Sequence, residues 1–296
     1  MTSAGRFAPS PSGDLHVGNL RTALLAWLFA RSTGRDFLLR VEDLDRARAG
    51  AEAEQLRDLA AVGVTWDGAV VRQTARGALY AEAISRLAAS GLTYECFCTR
   101  REIQEAPSAP HAPQGAYPGT CRNLEPAELE FKRSSRPAAI RLRSAVPEYT
   151  VRDVLHGEFT GVVDDFVLRR NDGVTAYNLA VVVDDAAQGI DQVVRGDDLL
   201  ASTPRQAYLA SLLNMPEPEY AHVPLVVNSE GVRLVKRDGA VTLGDLARAG
   251  VTAAGVRDLL LESLGLPAGT LEQALAVFDP AALPRNPWVW KGVAGA

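Results

Sequence analysis

What this chain has little of narrows the field first. Among 296 residues there are only three cysteines, Cys96, Cys98 and Cys121. An odd and small number argues against a disulfide framework and leaves metal binding or chance. No stretch approaches the roughly 18 consecutive apolar residues of a membrane helix. The first residues carry neither the basic nor the apolar segment of a secretory leader, so a cytoplasmic protein with no membrane partner is expected. Positive charge is in deficit: 31 Lys and Arg stand against 36 Asp and Glu, a net charge of −5. That excludes a general basic surface for nucleic acid but not a local patch. Lysine is nearly missing, with Lys132, Lys236 and Lys291 alone among the cations. Arginine suits bidentate phosphate and carboxylate contacts, yet a GC-rich genome produces the same bias, and it decides nothing. There are no repeats and no low-complexity segments.

What is there reads as an α/β protein long enough for one domain plus an insertion. Residues 5–8 end a short strand. Val17, Leu20, Leu24, Trp27 and Leu28 then recur at helical spacing up to about Thr33, and "DFLLRVED" (36–43) follows as a buried strand. Helices are expected at about 50–62 and 77–90. Strand, helix, strand, helix in that order predicts a parallel sheet. After Cys96 the pattern breaks into a Pro/Ala/Gly-rich loop (107–119) and short β-like runs, "AAIRLR" and "GVVDDFVLRR". Helix "AYNLAVVVDDAAQG", strand "QVVRG", helix "TPRQAYLASLLN" with Pro204 in its first turn, and strand "HVPLVVN" restore it. The last fifty residues read as small helices ending in the apolar tail "NPWVW".

Three features carry chemistry. The first is the turn "APSPSGDLHVGN", dense enough in Pro, Ser and Gly to be tight and fixed, followed by a helix starting near residues 16–18. A helix start offers free N–H groups and a positive dipole end to an anion. Gly13 and Gly18 let a base or phosphate approach the backbone, and His16 and Asn19, one turn apart, can both donate toward a phosphoryl group. A lone H-x-G-x string opens many helices, so the specificity lies in the whole string. The second is Cys96-x-Cys98 with Cys121, three soft thiolates able to meet on one Zn²⁺, with His111 and Tyr117 both available as a fourth ligand. The third is the basic run Lys132, Arg133, Arg136, Arg141 and Arg143, with no acid between them, able to contact phosphates.

"RFAPSPSGDLHVGNLRTAL" resembles the N-terminal signature of the glutamyl-tRNA synthetases, with "HVGN" where class I synthetases carry HIGH. "LLRVEDLDRAR" and "YNLAVVVDDAAQGIDQVVRGDDLLASTPRQ" resemble later segments of the same family, so the likeness runs over about 5–242. The large helical anticodon-binding region of full-length members has no room in the fifty-odd remaining residues. That shortness, with "CFC…YPGTC", resembles the branch of the family that attaches glutamate to queuosine in tRNA(Asp).

The resemblance implies a class I, Rossmann-type parallel sheet, split into 1–95 and 176–243 by a zinc-braced α+β insertion (96–175) that holds the RNA end. A short helical region (244–296) would close the chain, and the enzyme would be a monomer. It implies an ATP site at Gly13, His16, Gly18 and Asn19, with ATP carried as its Mg²⁺ complex. The glutamate pocket would use Arg6, Ala8, Ser10, Glu42, Tyr177 and Arg195: arginines for the carboxylates, Glu42 for the ammonium, Tyr177 for a hydroxyl and a ring face. "RLVKR" aligns with the KMSKS loop, so that Lys236 falls on the decisive lysine, Arg233 replaces the first lysine and Val235 replaces the serine. Family pattern also favours Tyr117 over His111 as the zinc ligand, although zinc chemistry alone favours imidazole. The implied reaction is activation of glutamate to glutamyl-adenylate, then transfer of the glutamyl group to an RNA hydroxyl, with His16, Asn19 and Lys236 as catalytic groups. Three rivals stay open: a truncated enzyme charging the 3′ end of tRNA(Glu), a non-catalytic RNA-binding paralogue, and a small-molecule adenylyltransferase.

Overall fold

A computed structural model describes residues 3–105, 117–234 and 241–292; His111 and Lys236, both singled out above, lie outside the described residues. The chain opens with strand β1 (Ala4–Phe7), helix α1 (Val17–Ser32), strand β2 (Asp36–Val41), helix α2 (Ala51–Ala61) and strand β3 (Val71–Arg72). Helix α3 (Gly77–Ala89) leads to β4 (Thr93–Cys96), α4 (Arg100–Glu105), α5 (Pro126–Ser135), β5 (Ala139–Leu142), β6 (Glu148–Asp153), β7 (Gly157–Val162) and β8 (Val167–Arg169). Next come α6 (Tyr177–Ala187), β9 (Ile190–Gly196), α7 (Thr203–Leu212), β10 (Glu219–Val223) and β11 (Val226–Val227). The last elements are α8 (Leu243–Arg248), α9 (Ala253–Glu262), α10 (Leu271–Leu275) and β12 (Trp288–Val289).

The main sheet has seven strands in the order β3-β2-β1-β9-β10-β6-β7, parallel except for the antiparallel pair β6–β7. From β1 the chain builds outward through β2 and β3, then returns to start again on the other side with β9 and β10. The order therefore reverses between β1 and β9, and in open α/β sheets that reversal opens a crevice beyond the carboxyl ends of the strands. Helix α1 packs on β1 so closely that a Cβ on Gly5 would meet the Ala30 Cβ at 2.9 Å.

Helix α1 is buried almost all round, from Val17 and Leu20 through Ala30. One face meets the sheet; α8, α9 and α10 supply Leu246, Val256, Leu260 and Leu271 to the same core. The C-terminal helices are thus the outer cover of α1, which is why that helix needs no polar face. The tail is not wholly helical: β12 pairs in parallel with β11, and the Trp288 and Trp290 amides donate to the carbonyls of Leu225 (2.9 Å) and Val227 (2.8 Å).

The span read as an insertion divides in two. Strands β4, β5 and β8 form a separate antiparallel sheet. The β6–β7 hairpin, in contrast, extends the main sheet through the pairing of Tyr220 with Asp153. Among the described residues no helix is long and apolar enough to cross a membrane.

Candidate active site

The crevice at the β1–β9 reversal is a cavity of about 650 Å³. Its walls are the ends of β1, β2 and β9 and the starts of α1 and α6. Of the residues singled out by sequence, Arg6, Ala8, Ser10, His16, Gly18, Asn19, Glu42, Tyr177, Arg195 and Arg233 all line it.

The turn after β1 is fixed by its neighbours. The Glu42 amide donates to the Pro9 carbonyl at 3.0 Å and the Arg48 amide to the Pro11 carbonyl at 2.8 Å. Gln55 of α2 donates from Nε2 to the carbonyls of Ser10 (3.0 Å) and Gly13 (2.6 Å). Gly13, in the same turn, stands behind the cavity wall and is not among the residues that line it. Its φ of 150° is one that side chains disfavour, and its place in the fold is that of a buried turn residue.

His16 is the N-cap of α1. Its Nδ1 accepts from the amides of Gly18 (3.1 Å) and Asn19 (3.3 Å), and Asn19 Oδ1 accepts from the His16 amide at 3.3 Å, a reciprocal capping box. Because Nδ1 accepts, the proton of the neutral ring sits on Nε2. Likewise the Asn19 amide group, its oxygen engaged, is left as a donor. Gly18 is required for this arrangement: a Cβ there would stand 3.0–3.1 Å from the His16 ring and 3.5 Å from Val226.

Arg6 is buried at 4% exposure, with Nε 3.2 Å from Asp185 Oδ1. Asp185 also accepts from Arg40 at 2.8 Å, and Arg40 reaches Gln188 (2.9 Å), Asp184 (3.7 Å) and Glu42 (3.5 Å). Behind them Asp184 takes bonds from Gln73 and Tyr80, each 2.8 Å, and pairs with Arg76. Burial raises the Asp185 carboxyl, but Arg6 and Arg40 outweigh it and hold the group ionised, below its usual range. Glu42 is the exception. Burial pushes its pKa up more strongly than Arg40 and Arg6 pull it down, so its carboxylate is one that a further cation would stabilise.

Arg195, 5% exposed, enters from the end of β9. Its Nε donates to His222 Nε2 at 3.0 Å, one Nη to Thr203 Oγ1 at 2.8 Å and the other to the Tyr177 hydroxyl at 3.5 Å. Arg233, at the rim, forms an ion pair with Asp198. The residues on either side of 235–240 are tethered beside His16: the Leu234 amide donates to Val226 (3.1 Å) and the Val17 amide to Val241 (3.0 Å).

Sequence reading missed the supports behind the two arginines: Arg40, Asp184 and Asp185 behind Arg6, and Thr203, His222 and Asp153 behind Arg195. The signal for the first set was present as two acids within the apolar helix "NLAVVVDDAA" and an arginine inside the buried strand "FLLRV". Buried charge at such positions requires a partner.

Away from the cavity, the Sγ atoms of Cys96, Cys98 and Cys121 all lie within 4.8 Å of one another. The Tyr117 hydroxyl is 3.3 Å from Cys96 Sγ and 3.7 Å from Cys98 Sγ. Cys98 and Cys121 are 3.5 Å apart, close to the roughly 3.8 Å expected of thiolates sharing one tetrahedral Zn²⁺. Hydrogen bonding from Cys121 draws the Cys96 thiol well below its ordinary pKa, while Cys121, giving that bond, and Tyr117, by burial, are pushed up. The chemistry of the donor set therefore fits a soft cation. None of these four side chains lines the cavity.

The basic run is no free cationic stripe. Lys132 pairs with Glu128, Arg133 with Glu95 and Glu130, and Arg136 with Glu102. Arg141 is buried over the Tyr117 ring, 3.7 Å from its centroid, and Arg143 donates to Asn123 and the Arg122 carbonyl. The acids that neutralise it come from other parts of the chain and from its own helix, where spacing along the run alone does not reveal them.

Comparison with known proteins places these features in context. Residues 4–269 match the family model of the class I tRNA synthetases (E and Q), catalytic domain. The chain is 66% identical over 287 residues to a glutamyl-Q tRNA(Asp) synthetase of Nocardia farcinica, covering 97% of this chain and 92% of that protein. It is 54% identical to the protein of the same name from Cutibacterium acnes, covering 96% and 80%. A crystal structure of a glutamate tRNA ligase from Elizabethkingia meningosepticum, in complex with its amino acid, superimposes with a TM-score of 0.82 at 26% identity, over 98% of this chain and 67% of that one.

Proposed function

Because the chain belongs to the glutamyl- and glutaminyl-type class I tRNA synthetases, we propose that its cavity activates glutamate with ATP and that the glutamyl group is then transferred to queuosine of tRNA(Asp). The relatives that carry this activity in their names cover nearly the whole chain. The observation that carries the reading of the site is the convergence of Arg6, Glu42, Tyr177 and Arg195 beside the His16-capped start of α1, in one cavity. Glutamate has two carboxylates and one ammonium; Arg6 and Arg195 offer guanidinium groups to the carboxylates, and Glu42 a carboxylate whose ionisation an ammonium would favour.

In the first step a glutamate carboxylate oxygen attacks the α-phosphorus of ATP; the bond to pyrophosphate breaks, giving glutamyl-adenylate. The His16 Nε2–H, the Asn19 amide and the N-terminal end of α1 meet the charge that develops on the phosphoryl oxygens. Gly18 leaves the room for a nucleotide to lie against that turn. Arg233 and Lys236 act on the leaving pyrophosphate, which travels with Mg²⁺. In the second step a queuosine hydroxyl attacks the glutamyl carbonyl carbon and AMP departs. Little covalent work falls to the protein; positioning and fixed dipoles supply the catalysis. Zn²⁺ held by Cys96, Cys98, Tyr117 and Cys121 would brace the small sheet and supply no chemistry to the cavity. The setting assigned is the cytoplasm, where ATP and tRNA meet, and the working form a monomer, since one chain supplies every group invoked.

The test is glutamate-dependent exchange of labelled pyrophosphate into ATP, run without RNA and with glutamine and aspartate as controls, followed by glutamyl transfer to tRNA(Asp) with and without queuosine and to tRNA(Glu). Exchange with glutamate alone and transfer only to the modified tRNA(Asp) are expected. Charging of tRNA(Glu), or no exchange, overturns the reading.

A further inference from the structure

The two arginines of the pocket are held in opposite ways. Arg6 lies against the carboxylate of Asp185, which it shares with Arg40, so part of its charge is met inside the protein. Arg195 has no carboxylate within ion-pair reach among the described residues; its three hydrogen-bond partners, His222, Thr203 and Tyr177, are all neutral acceptors. Behind it His222 stands between Arg195 and the carboxylate of Asp153.

The geometry of that spacer is restrictive. His222 has no exposed surface and Asp153 is 2% exposed. Asp153 Oδ2 lies 2.6 Å from His222 Nδ1 and also accepts the His222 amide at 3.0 Å. Its Oδ1 takes the amides of Leu155 (2.8 Å) and His156 (3.0 Å), so the carboxylate is anchored on three backbone groups. An Arg Nε always carries a proton, so the His222 Nε2 that faces it at 3.0 Å must be the accepting nitrogen. The ring proton is therefore on Nδ1, donated to Asp153. A protonated ring would set a second cation and a donor against the Arg195 donor. Burial, the largest influence on His222, disfavours that form, and Arg195 adds to it.

We propose that His222, set in one tautomer by Asp153, is a positioning residue for Arg195: it fixes the plane of the guanidinium without neutralising it, so that the counter-charge must come from the amino-acid substrate. A carboxylate in the same place would hold the fork as firmly but would neutralise the charge that glutamate is bound by. The inference rests on the glutamate-activating reading of the cavity.

The experiment combines exchange kinetics with a probe that does not depend on activity. Wild type is first assayed for glutamate-dependent exchange; its absence overturns the functional reading and this proposal together. With wild-type exchange in hand, His222→Leu, which leaves a buried Arg195 N–H without an acceptor, is expected to raise the KM for glutamate about 10- to 100-fold with the KM for ATP within about threefold. His222→Gln, whose side-chain oxygen can stand near the Nε2 position, is expected to recover most of that loss. Nitrogen-15 NMR of the wild-type histidines should show one buried ring protonated on Nδ1 and bare on Nε2 at neutral pH. The proposal alone is overturned by a glutamate KM unchanged in His222→Leu, by KM values for glutamate and ATP that rise together in both variants, or by a His222 ring protonated on Nε2.

Discussion

At the scale of single residues, the start of α1, where we place the nucleotide, depends on two atoms that are not there, the missing Cβ of Gly18 and the missing proton on His16 Nδ1. The capping box turns the imidazole so that its only proton faces away from the helix start, and Gly18 leaves the ring room to lie flat on the first turn. A methyl group 3.0–3.1 Å from Cε1 and Nδ1 would force the ring to give by a few tenths of an ångström, and would also touch Val226 at 3.5 Å. Gly18→Ala is therefore expected to lower kcat/KM for pyrophosphate exchange by about 10- to 100-fold, the scale of losing one aligned donor at a developing charge. The helix itself should not weaken, because alanine is a better helix former than glycine. Exchange kinetics and a thermal melt on the same preparation separate the two effects: equal loss of stability and activity would mean that Gly18 serves folding alone.

At the scale of elements, the small sheet β4-β5-β8 buries Leu142 and Leu168 in a larger core cluster, while its end at Cys96 is gathered into a separate cluster of Cys96, Phe97, Tyr117 and Cys121. If a Zn²⁺ closes that cluster, Cys121→Ser should abolish tightly bound zinc, from about one equivalent per chain to none. It should also lower the melting temperature while leaving exchange without RNA within a few-fold, because no ligand touches the cavity. Metal analysis with the exchange assay checks it, and an equally large loss of exchange would tie the cluster to catalysis. Elements were also where the chain was most readable. The strands 4–7 and 36–41 and the helices after them follow from apolar spacing and punctuation, because each is local. The β6–β7 hairpin was not readable as part of the main sheet, since its place is set by one non-local pairing, Asp153 with Tyr220. The site divides in the same way. His16, Gly18 and Asn19 are neighbours in sequence and announce themselves. The pairing of Arg195 with His222 across 27 positions, or of Arg6 with Asp185 across 179, exists only once β9 lies between β1 and β10.

At the scale of the whole molecule, a chain of net charge −5 has to present local cations if it is to hold RNA over this cavity. The densest basic run in the sequence does not serve, because its cations are paired with acids or packed on aromatic rings. The cavity rim does better. Arg46 follows β2 with its side chain 85% exposed and lines the opening together with Arg170. Its nearest acid, Asp45, is 3.8 Å away and is shared with Arg170 at 3.1 Å. Arg46 also has a φ of 56°, a left-handed conformation that costs an ordinary side chain of order 1 kcal/mol and is kept where the surroundings enforce it. A solvent-facing arginine held in that backbone shape beside the cavity is well placed for a phosphate of the RNA that brings its hydroxyl inside. Arg46→Ala should then weaken RNA binding several-fold at low salt and reduce the slope of log K against log salt by about one. Exchange in the absence of RNA should stay at the wild-type rate. Binding isotherms from 50 to 200 mM salt, the range over which phosphate contacts are most visible, decide the matter: an unchanged slope would remove Arg46 from the RNA interface and move the search to other faces of this acidic molecule.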